Sequence, residues 1–167
     1  RILRRRYGRV YVSFGEPLPL AGFLDTVAAD WRSTRLESKP AWLSEAVDAL
    51  SVRIQERVNA AAAVSPTALL SLVLLATPRQ AMAQADLVRQ IDLYRELSAR
   101  DPYAPDTWCV AMDGTAVLAR THALGMTETV AHAMGDVVRF RPGMAVLAAY
   151  YRNSILHLYA LPSLIAC

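Results

Sequence analysis

Histidine is the side chain best suited to moving a proton near neutral pH, and this chain has three: His122, His132 and His157. They stand in three separate stretches, so they form no compact grouping of nucleophile, base and orienting acid. There is no glycine-rich phosphate loop, no Gly-x-Ser-x-Gly elbow and no His-Glu-x-x-His pair. Cys109 and Cys167 belong to no metal-like spacing. No catalytic residue is assigned, and neither a metal site nor a cofactor is expected. One polar group stands out. Tyr150-Tyr151-Arg152-Asn153 leads to His157 inside an otherwise apolar stretch read as a helix. Tyr150, Asn153 and His157 are spaced i, i+3 and i+7, which places them on one face of that helix. A buried amide or imidazole left without a partner costs roughly 1–3 kcal/mol, so these groups should be hydrogen-bonded. Two roles fit: a network that fixes how the helix packs, or, through Arg152 and His157, part of a pocket for a phosphate or phosphopantetheine group.

The elements that would position these residues follow from periodicity and punctuation. Val10 to Phe14 is a β-favouring run closed by Gly15-Glu16-Pro17, and a strand there needs partners from elsewhere. A short helix is predicted from Leu20 to Asp30, then a polar connection from Arg32 to Pro40. Leu43, Val47, Leu50, Ile54 and Val58 form one apolar face of a long helix from Ala41 to Val64. Ser65-Pro66 opens an apolar helix to Ala76. Thr77-Pro78-Arg79-Gln80 repeats that start signal for a helix running to Asp101-Pro102. A further helix is predicted from Thr107 to Leu124, weakened by Gly114 and closed near Gly125. Thr127 to Ala131 and Val137 to Phe140 read as a hairpin around Met134-Gly135-Asp136. The last helix starts at Arg141-Pro142-Gly143, continues through Leu158, and is kinked or ended by Pro162.

Composition agrees with a packed, mostly helical body. Of 167 residues, 54% are apolar and 20% charged, which excludes disorder for most of the chain. The longest apolar candidates, Ala68 to Ala76 and Ile155 to Cys167, are shorter than a membrane-spanning helix. The net charge of +3 is uneven. Arg1, Arg4, Arg5, Arg6 and Arg9 carry +5 among them, leaving −2 for the remainder. Such a cluster is either a solvated helix end or a contact for a local anionic partner, for which phospholipid head groups would supply roughly 1 kcal/mol per basic residue. The opening in a basic run and the apolar close at Leu161 to Cys167 read as cuts through a longer protein. Cysteine usage points to a reducing, cytosol-facing location.

Three blocks carry a family resemblance. Gly8-Arg9-Val10-Tyr11-Val12-Ser13-Phe14-Gly15-Glu16-Pro17-Leu18 is similar to the segment that follows the catalytic core in glycerol-3-phosphate acyltransferases. Asn59 to Pro66 with Leu69 to Ala76 resembles the family's alanine-rich segment. Tyr150-Tyr151-Arg152-Asn153-Ser154-Ile155-Leu156-His157 with Leu161-Pro162-Ser163-Leu164 is similar to its Tyr-Tyr-Arg-Asn block, and is the most specific of the three. Ser154 departs from the usual second asparagine.

The resemblance implies a fold that is mostly α with minor β. Residues 1–40 would be the end of an acyltransferase α/β domain, supplying the last strand of its sheet, and residues 41–167 a helical C-terminal region with a small β-hairpin. It implies a bacterial enzyme of phospholipid biosynthesis on the cytoplasmic face of the inner membrane. That enzyme moves a fatty acyl group from acyl-CoA or acyl carrier protein to the sn-1 hydroxyl of glycerol 3-phosphate, giving lysophosphatidate. A His-x-x-x-x-Asp pair performs the transfer in the family, the imidazole taking the hydroxyl proton and the carboxylate orienting the ring. Thr127, Val137 and Pro162 stand five residues beyond the three histidines, and Asp136 lies only four beyond His132, so the pair is absent from this chain. Alone, the chain is expected to be inactive. Its expected partners are the two substrates and an anionic membrane surface, with no nucleic acid. The alternative readings are a non-catalytic helical interaction domain and a winged-helix nucleic-acid-binding module. The second needs basic residues on its recognition helix, where Thr107 to Leu124 offers Arg120 against Asp113.

Overall fold

The computed structural model describes residues 8–34 and 39–165, which group into two units, one of residues 13–61 and the other of residues 8–12 with 62–165. The cluster's Arg1, Arg4, Arg5 and Arg6 lie outside the described residues, as do positions 35–38 of the polar connection and Cys167. Arg9 is exposed.

Residues 8–19 form neither helix nor strand. In the run from Val10 to Phe14, Tyr11 is half-buried against Trp108 at 4.8 Å between ring centroids, and Val10, Val12, Ser13 and Phe14 are exposed. The run pairs with no strand among the described residues, and an unpaired strand has no ladder to hold it. In the first unit, α1 (Leu20–Val27) ends three residues before the expected Asp30. Asp25 turns the chain there: it accepts from the Trp31 indole at 2.8 Å and pairs with Arg32. The helix α2 (Leu43–Ala60) packs on α1 but buries only Ala46. It stops short of Val64 because Ala63–Val64 become a strand, β1.

The second unit is built around α3 (Pro66–Ala76), apolar on every side and almost wholly buried. Its start follows the sequence signal: Ser65 Oγ accepts the Ala68 N–H at 3.2 Å, and Pro66 fills the first helical position without a wasted donor. The one buried hydroxyl inside it, Ser71, donates to the Thr67 carbonyl at 2.6 Å. Thr77-Pro78 does not open a helix as expected. Pro78–Gln80 make one tight turn in which Arg79 (φ 60°) and Gln80 (φ 53°) are left-handed. That turn directs Ala81–Ala83 into a strand, β2, so α4 (Gln84–Arg100) begins late. After it, β3 (Trp108–Cys109) pairs in parallel with β1, Ala63 opposite Trp108.

The helix α5 (Gly114–Ala123) starts seven residues after the expected Thr107, because residues 108–109 are held in the ladder to β1. Asp113 caps it, accepting from Ala116 N–H at 2.8 Å. Gly114 therefore opens the helix instead of weakening its middle. It donates to Asp92 Oδ1 on α4 at 2.8 Å, and a Cβ here would lie 2.4 Å from the Val88 carbonyl. The close at Gly125 is as expected: at φ 73° it donates to His122, and Met126 donates to Thr121. The strands β4 (Thr127–Val130) and β5 (Val137–Phe140) form the expected hairpin, joined by β2 in a three-stranded antiparallel sheet of order β2-β5-β4. The last expected helix is two, α6 (Ala145–Asn153) and α7 (Leu156–Ile165), and Pro162 lies inside the second without ending it. The chain is mostly α with minor β. From α3 to β5 the order is helix, strand, helix, strand, helix, strand, strand, with β2 beside β5; leaving out the two-residue β3, which pairs with β1 instead, that is the element order of a winged helix.

Candidate functional site

Arg152 and His157 lie on either side of the break between α6 and α7. Ile155, fully buried, pins the break, while its N–H reaches back to Arg152 O at 3.1 Å and Ser154 Oγ donates to Tyr151 O at 2.7 Å. Two short helices therefore replace one continuous helix, and Tyr150, Asn153 and His157 do not share a single helical face. Tyr150 is 74% exposed and Asn153 is exposed, so the amide carries no desolvation penalty that would demand a buried partner. Half-buried Arg152 donates through Nε (3.2 Å) and Nη2 (2.9 Å) to Asn153 Oδ1. Half-buried His157 meets Tyr103 edge-on, ring centroids 5.3 Å apart. The two candidate residues thus have different partners. The other histidines are distant in kind: His122 is exposed on the last turn of α5, and exposed His132 accepts the Met134 N–H in the hairpin loop. Among the described residues no group of three His, Cys, Asp or Glu is arranged to hold a metal.

A polar junction that the sequence did not disclose lies where α4, β3 and α7 meet. Ser98 Oγ and Tyr159 OH are 2.5 Å apart across 61 residues of sequence, and the Tyr159 ring stands edge-on to Tyr94 at 5.1 Å. Burial pushes the Tyr159 phenol up to about 12. It also raises the Cys109 thiol above its ordinary value, against smaller opposing effects from Arg95 and Ser98. Both groups are therefore neutral near pH 7, and Cys109 has little thiolate with which to act as a nucleophile. The chemistry this junction supports is orientation of helices. Its one sequence signal is a tyrosine in an otherwise apolar helix, which names no partner.

On the winged-helix face, exposed α5 offers Thr115, Ala116, Ala119 and Ala123 with one guanidinium, Arg120. Arg139 in the wing is paired with Glu128 at 2.7 Å. A phosphate-tracking surface draws its affinity from several such cations.

The family model for the glycerol-3-phosphate acyltransferase C-terminal region matches residues 1–167. Proteins named glycerol-3-phosphate acyltransferase are similar throughout: 40% identical in Xanthomonas axonopodis pv. citri over 100% of this chain and 19% of the relative. The corresponding protein of Pseudomonas fluorescens strain SBW25 is 42% identical over 98% of this chain and 20% of its own length. That of Xylella fastidiosa strain M12 is 38% identical over 100% of this chain and 20% of its own. No solved structure matches the chain. The chain belongs to the glycerol-3-phosphate acyltransferase C-terminal region family, and it spans about a fifth of the length of the curated relatives it matches. No helix among the described residues is long and apolar enough to cross a membrane.

Proposed function

We propose that this chain is the C-terminal, non-catalytic region of a glycerol-3-phosphate acyltransferase and supports the part of that enzyme which performs the transfer. The carrying observation is the family match over all 167 residues together with relatives of that name at 38–42% identity. On this reading the parent enzyme takes a fatty acyl group from acyl-CoA or acyl carrier protein and places it on the sn-1 hydroxyl of glycerol 3-phosphate. The product is lysophosphatidate, made at the cytoplasmic face of the bacterial inner membrane. The lack of a His-x-x-x-x-Asp pair assigns proton abstraction to residues outside this chain. Residues 1–40 finish the acyltransferase domain and residues 41–167 form the helical region. The unpaired run Val10 to Phe14, with Val10, Val12 and Phe14 exposed, suits an edge that another strand completes.

Arg152 and His157 remain the substrate-binding residues of this reading. Arg152 is a half-buried cation whose two hydrogen bonds go to a neutral amide, leaving its charge available to a phosphate. The test is acyl transfer to glycerol 3-phosphate by the full-length protein, with acyl-CoA and acyl carrier protein supplied in turn. Transfer by the full-length protein and none by residues 1–167 is expected. Arg152→Ala should raise the KM for one substrate about tenfold, with a smaller change in kcat. An inert full-length protein rejects the enzyme reading, and unchanged kinetics in Arg152→Ala reject the role given to Arg152.

A further inference from the structure

We infer that the exposed apolar stripe of α2 is the surface on which the upstream, catalytic part of the acyltransferase polypeptide docks; this rests on the proposed function above. The unit of residues 13–61 cannot be self-sufficient. Its buried apolar residues among those described are Ala28 and Ala46, and two alanines are no core. Yet α2 carries Val47, Ile54 and Val58, at i, i+7 and i+11, each at least half exposed. They form a ridge about 16 Å long, with Leu43 and Leu50 half-buried beside it. Ridges of this kind seat in the groove of another helix.

Two observations select a protein occupant, and one its source. Helices that lie on anionic membranes present Lys and Arg on the polar face. Here α2 has Glu45, Asp48 and Glu56 against Arg53 and Arg57. Both arginines are also engaged, Arg53 with Glu56 at 3.3 Å and Arg57 with the Glu16 carbonyl at 2.5 Å. The ridge is made of stiff β-branched side chains, which suit a fixed groove better than fluid acyl chains. As to source, the matched relatives carry about four-fifths of their length outside this region, and that is the protein chain covalently tied to this one in every molecule.

The test places a photo-crosslinking benzoylphenylalanine at Ile54 in the full-length protein and maps the products by mass spectrometry. Crosslinks to residues upstream of position 1 are expected. Crosslinks to phospholipid, to a second copy, to residues 62–165, or no crosslink at all, would overturn the inference. A second variant, Ile54→Glu, should speed proteolytic cleavage within residues 39–61 of the full-length protein about tenfold, and unchanged cleavage counts against docking. Upstream crosslinks in a protein that is inert toward glycerol 3-phosphate would leave the docking standing and remove the enzymatic reading. An active enzyme crosslinked elsewhere would do the reverse.

Discussion

At the scale of single residues, the two groups whose ionisation burial suppresses, Tyr159 and Cys109, lie where α4, β3 and α7 meet. Tyr159 is the clearest case, because the residue is 3% exposed and its hydroxyl is bonded to Ser98. Replacing it by Phe leaves Ser98 without that partner and should cost about 1–2 kcal/mol in a denaturant titration. The same change has a pH signature. The folded phenol stays protonated to about 12, whereas an unfolded tyrosine ionises near 10. Between those values the folded state binds more protons, so stability is fully present below pH 10 and falls as pH rises to 12. Tyr159→Phe should lose that part of the slope, and parallel profiles for the two proteins would show that the phenol is not the group responsible. Neither Tyr159 nor Cys109 declares this place in sequence, since their partners lie on other elements.

At the scale of elements, local signals were legible where a side chain acts on its own backbone. Ser65-Pro66 starts α3, Gly125 closes α5, and the hairpin lies where alternation placed it. The misplaced bounds of α2, α4 and α5 share one cause, competition from pairing across the chain. Thr77-Pro78 carries a helix-start signal, but Met82 pairs with Val138 and Trp108 with Ala63, and both ladders displace helix. Gly114 shows the same lesson at one residue. Helix propensity marks it as a weakness, whereas packing makes its missing side chain a requirement. Gly114→Ala should destabilise by about 2–3 kcal/mol through the clash with the Val88 carbonyl. Gly22→Ala in α1, where the nearest atom to a new Cβ is 3.9 Å away, should be neutral or stabilising by up to about 1 kcal/mol. Paired thermal melts check both, and equal effects at the two sites would refute the packing argument.

At the scale of the molecule, burial is divided very unequally between the two units. The core surrounds α3, with Leu69, Leu70, Leu74, Leu87, Ile91 and Val138 sealed from solvent, while α1 has no buried residue and α2 only one. Hydrogen exchange of this chain should therefore show amides of α3 protected at least about a hundredfold more than those of α1 and α2. Equal protection would mean that residues 13–61 are stabilised by something other than their own packing. Taken by themselves, the residues determined the fold class, the all-round apolar character of α3 and, through the Tyr150 to His157 block, the family. These depend on side-chain identity and spacing along a short stretch. Only the tertiary structure decided that Ala81–Ala83 complete a sheet, that Ile155 splits the last helix and separates Arg152 from His157, and that Tyr159 meets Ser98. Each of those depends on burial in a core, or on a pairing, that brings together residues far apart in sequence, and no local pattern encodes that choice.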